Sequence, residues 1–207
     1  MHHSISVFDM FKIGVGPSSS HTLGPWRAAE KFCKFLDDQK VLLNVVGVKI
    51  LLYGSLAKTG KGHGTDIAIQ LGLSGEDPVT FDVDSIDSSI KHIASLHKLL
   101  LARKHEVDFN PKKDIEYLAT ESLPYHPNAV TFLALLSNGQ HIAQTYYSIG
   151  GGFVEQEHQS INIKEHIELP FPINNASDLL HWSMKTGLSI HEIVLENESS
   201  WRNQAET

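Results

Sequence analysis

Two stretches of the chain set imidazoles among hydroxyls and glycines. The first is Gly14-Val15-Gly16-Pro17-Ser18-Ser19-Ser20-His21-Thr22. Three successive hydroxyls and free backbone N–H groups ahead of a helix suit a carboxylate or a phosphate. The same residues would also serve as an over-supplied N-cap turn. The second is Tyr53-Gly54-Ser55-Leu56-Ala57-Lys58-Thr59-Gly60-Lys61-Gly62-His63-Gly64-Thr65-Asp66. It fails as a phosphate-cradling P-loop, because five residues separate Gly54 from Gly60 and Lys61 is followed by Gly62. Nor do Gly60, Gly62 and Gly64 have the dinucleotide-binding spacing. What remains is His63 between glycines, with Lys61 and Asp66 nearby. A histidine where the backbone can approach a ligand closely is a candidate general base; a flexible surface turn is the plain alternative.

Weaker candidates follow. Tyr146-Tyr147-Ser148-Ile149-Gly150-Gly151-Gly152-Phe153 runs a strand into three glycines, as a close-approach site, a hinge or a bend at a sheet corner. His126 sits in the proline-bracketed turn Leu123-Pro124-Tyr125-His126-Pro127-Asn128. His191-Glu192 begins a metalloprotease pattern that Leu195 breaks, and His92, His97 and His105 have no spacing that closes a metal site. Asp82, Asp84 and Asp87 lack the glycine and closing glutamate of a calcium loop.

The elements that must position these residues alternate between strand and helix. Trp26, Ala29, Phe32, Cys33 and Leu36 predict a helix over 22–38, with Pro25 in its first turn. Val46, Val48, Ile50 and Leu52 alternate as a half-buried strand should. The glycine-rich stretch 58–64 reads as a loop, after which Thr65 or Asp66 can cap a helix through Leu71. Val79, Phe81 and Val83 predict another strand, and Ile86 to Leu100 a helix over 85–103. Strands over 131–136 and 141–149 are joined at Asn138-Gly139, a strong hairpin signal. Helices are predicted over 177–185, closed by Gly187, and over 189–200. Prolines near 164–172 separate an α+β body from a helical tail.

Composition bounds the answer. With 17 Lys and Arg against 24 Asp and Glu, the net charge of −7 argues against nucleic-acid or anionic-membrane surfaces. One cysteine, Cys33, excludes an internal disulfide framework, a four-cysteine zinc site and a self-contained iron–sulfur cluster. Without a basic leader or an 18-residue apolar run, a cytoplasmic location is expected.

Five segments in order, Ser6–Phe11, Gly16–Thr22, Gly60–Asp66, His105–Phe109 and Tyr146–Phe153, resemble the N-terminal, or beta, portion of bacterial iron–sulfur L-serine dehydratase (L-serine ammonia-lyase). The resemblance runs to about Pro170 and continues more weakly beyond. It implies an α+β fold, a mixed sheet with flanking helices resembling an allosteric substrate-binding domain, plus a short helical tail. It divides the chain into a beta domain over 1–165 and, over 166–207, a linker with the truncated start of a helical catalytic (alpha) domain. The implied partner is that alpha domain, in the same chain or a separate subunit, whose cysteines hold a [4Fe–4S] cluster; this segment would bind none. A homodimer is also implied. The implied reaction removes water from L-serine, giving pyruvate and ammonia, with His63 as the first candidate for the base and His126 as the runner-up. Ser18, Ser19, Ser20, His21 and Thr22 would bind the substrate carboxylate or line the site. Thr65 and Asp66 would fix the His63 loop or meet the ammonium. The isolated chain is expected to be inactive. The rival readings are a regulatory module binding serine or a small anion, and a pure interaction domain.

Overall fold

The computed structural model describes Ser6, residues 14–157 and residues 169–202. Contacts divide the chain into two units, 13–159 and 1–12 with 160–207. The boundary predicted at 165/166 lies outside the described residues, as do residues 7–11 of the first motif.

The larger unit is an α+β structure on a mixed sheet with helices against it. Its central strand, β1 (Val45–Tyr53), buries Val48, Ile50 and Leu52 on one face. A π-helical turn, Ser19–Leu23, leads into α1 (Gly24–Asp38), which lays Ala29, Phe32, Cys33 and Leu36 into the core cluster shared with that face. Phe32 stacks on Phe132 at 5.1 Å between ring centroids. Burying a side chain of this size contributes about 2–3 kcal/mol. Gly72 lets the neighbouring helix approach α1, since a Cβ there would lie 2.6 Å from the Trp26 carbonyl oxygen.

The strand order is β2 (Lys98–Leu101), β3 (His105–Asp108), β1, β5 (Ala129–Leu136), β6 (His141–Gly150) and β7 (Phe153–Gln156), while β4 (Ile115–Leu118) also pairs with β1. β3 and β4 run parallel to β1 and share one of its edges in succession: Gly47 opposes Asp108, then Ile50–Tyr53 oppose Ile115–Leu118. β5 is antiparallel to β1, and β6 to β5. The carboxyl ends of β1, β4 and β6 and the amino end of β5 therefore meet at one end of the sheet. Ends of this kind are where open α/β sheets hold ligands.

Several predicted elements change. The glycine-rich stretch is helical: α2 (Gly54–Thr59) and a 3-10 turn, Gly60–His63, precede α3 (Thr65–Leu73). α3 is capped by Gly64 at φ +66, without a side-chain cap bond from Thr65 or Asp66. Residues 79–83 form no strand, because Asp77 and Asp82 accept hydrogen bonds from the N–H groups two residues on. Helix α4 (Ile86–Leu96) stops at His97, whose φ is +52, and the chain turns into β2. The three glycines 150–152, all at positive φ, turn β6 into β7.

In the smaller unit, α6 (Ala176–Thr186) and α7 (Ile190–Glu198), numbered after the one-turn α5 (Pro111–Asp114), both begin with capping boxes, Asn175/Asp178 and Ser189/Glu192. Glu192 thus belongs to a helix cap. Asn197 exchanges hydrogen bonds with the backbone of Phe171. No helix among the described residues is long and apolar enough to cross a membrane.

Candidate active site

Both histidine-bearing segments of the sequence analysis come together at the end of the sheet. Ser18 caps the π turn, its Oγ accepting from the His21 N–H at 3.1 Å, and Ser19 is exposed on that turn. His21 is half-buried and hydroxyl-bonded at both ring nitrogens: Nδ1 to Ser20 Oγ at 2.9 Å and Nε2 to Ser55 Oγ at 3.0 Å. Burial, then the facing His63, push its pKa below the ordinary histidine value, partly opposed by the Ser55 contact. Ser55 comes from the first turn of α2, immediately after β1.

His63 is exposed, and its ring centroid lies 5.2 Å from that of His21. Its Nδ1 lies 3.0 Å from the Thr59 carbonyl oxygen, which can only accept. The neutral ring therefore carries its proton on Nδ1 and leaves the Nε2 lone pair free. That is the arrangement a general base needs.

A reciprocal clasp joins the two segments. Thr22 donates its hydroxyl to the His63 carbonyl at 2.8 Å, and Thr65 donates its own to the His21 carbonyl. Both threonines are buried, so these hydroxyl protons hold backbone. Burial, followed by the charge of the Asp66 carboxylate, pushes the pKa of Tyr117 on β4 up. Lys61 lies over the Tyr117 ring at 4.9 Å from its centroid. The 3-10 turn carrying His63 is thus held from both sides.

His126 occupies a separate turn that reaches the same end of the sheet. Its Nδ1 accepts the Asn128 N–H at 3.1 Å, so the neutral ring carries its proton on Nε2, opposite to His63. The next residue, Pro127, accepts the Ser55 N–H at 3.0 Å. Gly54 permits that contact: its φ is +49, and a Cβ would lie 2.5 Å from the Pro127 carbonyl oxygen. A cleft beside this junction is lined by Ser55, Lys58, Thr59, Glu121 and Ser122.

Ser55 and Tyr117 also reach the site, though neither stands out in the sequence as a site residue. Ser55 lies in the glycine-rich segment, but its role depends on a partner 34 residues away, and nothing local marks Tyr117. No group of three or more His, Cys, Asp or Glu able to hold a metal occurs among the described residues.

A family model described as the serine dehydratase beta chain matches residues 6–159. Over 208 residues the chain is 42% identical to an L-serine dehydratase of Streptomyces coelicolor, a match covering 98% of this chain and 46% of that relative. It is 42% identical over 204 residues to L-serine dehydratase 1 of Escherichia coli, covering 98% and 45%. It is 40% identical over 197 residues to the enzyme of Haemophilus influenzae, covering 94% and 43%. The chain spans about half the length of the curated relatives it matches.

Proposed function

Because this chain belongs to the serine dehydratase beta-chain family, we propose that it is the beta portion of an L-serine ammonia-lyase and supplies binding and acid/base groups to a shared site. The observation that carries the reading is His63, whose Nδ1 is committed to a backbone carbonyl while Nε2 stays free. L-Serine loses its α-proton and its hydroxyl, giving aminoacrylate and water; the aminoacrylate tautomerises and hydrolyses to pyruvate and ammonia. His63 Nε2 takes the α-proton. Ser18, Ser19 and Ser20, at the opening of the π turn, bind the substrate carboxylate, and His21 lines the site between Ser20 and Ser55. Thr22 and Thr65 hold the two histidine-bearing segments together, and Asp66, in the first turn of α3, meets the substrate ammonium. His126, with its proton on Nε2, acts as a donor to the substrate.

The residues of this chain do not fit a [4Fe–4S] cluster. Cys33 is the only cysteine, it is buried, burial pushes its pKa up to about 12, and its thiol donates to the Leu73 carbonyl. A cluster would be held by the remaining length of the relatives, an alpha domain in the same chain or another subunit, and the steps above run through none. A beta domain over 1–165, a helical segment beginning the alpha domain over 166–207, and a cytoplasmic homodimer complete the proposal.

The test is His63→Ala in a protein carrying this chain with the rest of the relatives' length. Turnover of L-serine should fall at least about a hundredfold, with L-serine binding retained by calorimetry. Turnover within a few fold of wild type would refute the assignment.

A further inference from the structure

The strand segment Tyr146–Phe153 has no part in the proposed chemistry, yet one of its residues touches both sides of the site. Ser148 is 1% exposed and lies near the carboxyl end of β6, where the pairing with β7 shifts register between Ser148 and Gly150. Bulges of this kind re-aim side chains beside functional sites. Its Oγ donates to the Ser20 carbonyl at 2.7 Å. Its N–H donates to the Asn128 carbonyl at 2.9 Å, and its own carbonyl accepts the Asn128 side-chain amide at 3.2 Å. Asn128 is the residue whose N–H fixes the His126 tautomer. The approach is tight: a Cβ on Gly24 would lie 1.9 Å from Ser148 Oγ.

We propose that Ser148 and Asn128 are positioning residues that couple the Ser18–Thr22 turn to the His126 turn, setting the spacing between the carboxylate-binding hydroxyls and His126. This rests on reading those two turns as parts of one L-serine site. Ser20 and His126 are far apart in sequence, and both hang on one buried serine. Losing its hydroxyl leaves the Ser20 carbonyl without this partner and frees the turn to move.

The coupling is tested on this chain by imidazole NMR of Ser148→Ala and Asn128→Ala, with His92 on α4 as a remote control. Ser148→Ala should shift the His21 and His126 ring resonances and leave His92 in place. Asn128→Ala keeps the Ser148 hydroxyl, and should still shift His21, which it does not touch. A folded variant of either kind with unmoved His21 resonances would overturn the coupling. In a protein carrying the remaining length of the relatives, Ser148→Ala should raise KM for L-serine about fivefold with kcat within about twofold. Shifted resonances with an unchanged KM would uphold the coupling and instead overturn the reading of the site as one for L-serine.

Discussion

His21 and His63 face each other at 5.2 Å between ring centroids, and they are not equivalent. His21 has hydroxyl partners at both ring nitrogens, whereas the described hydrogen bonds of the His63 ring engage Nδ1 alone. Two imidazoles this close cannot both hold a proton cheaply, and the half-buried one is the less able to do so. The pair divides into a held ring and a working ring.

The tautomers are open to direct measurement. In nitrogen-15 spectra at a pH where both rings are neutral, His63 should carry its proton on Nδ1 and His126 on Nε2. The same tautomer at both positions would remove the basis for giving them different roles.

His21 makes stability depend on pH in a defined direction. Its folded pKa lies below its unfolded value of about 6.5, so the unfolded chain binds the proton more readily. The associated stability is present above pH 6.5 and is lost as pH falls through the lowered folded value. Urea midpoints measured from pH 7.5 down to 5 should decline less steeply for His21→Gln than for wild type. Parallel curves would show that His21 is not the residue responsible.

The threonine clasp should behave as a unit. Thr22→Val and Thr65→Val each leave a carbonyl short of a partner, at a cost of about 1–2 kcal/mol. The double variant should cost less than the sum, because either loss releases both segments. Strict additivity in denaturant titrations would mean that the two bonds act independently.

Two glycines in and beside the site segments should respond unequally to alanine. Gly24→Ala drives a Cβ into Ser148 and should destabilise by about 1–3 kcal/mol. Gly62→Ala meets nothing within 4 Å and should stay within about 0.5 kcal/mol of wild type. Equal effects on thermal unfolding would show that the contact at Gly24 is not the source of the cost.

The long periodic elements were legible in the sequence because their patterns span many residues. α1 and β1 follow from spacing, and β5 and β6 from the Asn138-Gly139 turn between them, with Gly139 at φ +82. In β1 the bulge between Val45 and Gly47 exposes Val46, which the alternation groups with Val48, Ile50 and Leu52. β2, β3, β4 and β7 are four residues each, too short for an alternation to stand out, and they exist through pairing with neighbours. At the candidate site, His21 and His63 could be picked out because local glycines and hydroxyls frame them. Ser55, Tyr117 and Ser148 could not, since their partners lie across the fold.

The far end of the hairpin meets no other part of the described residues at Gly139. β5 runs away from the site for eight residues, roughly 25 Å at strand rise, before the Asn138-Gly139 turn. A side chain at Gly139 would meet nothing within 4 Å. A fluorophore or an affinity peptide grafted at that tip would sit on the hairpin whose opposite end carries Ser148, one strand length away from the histidines and outside their space.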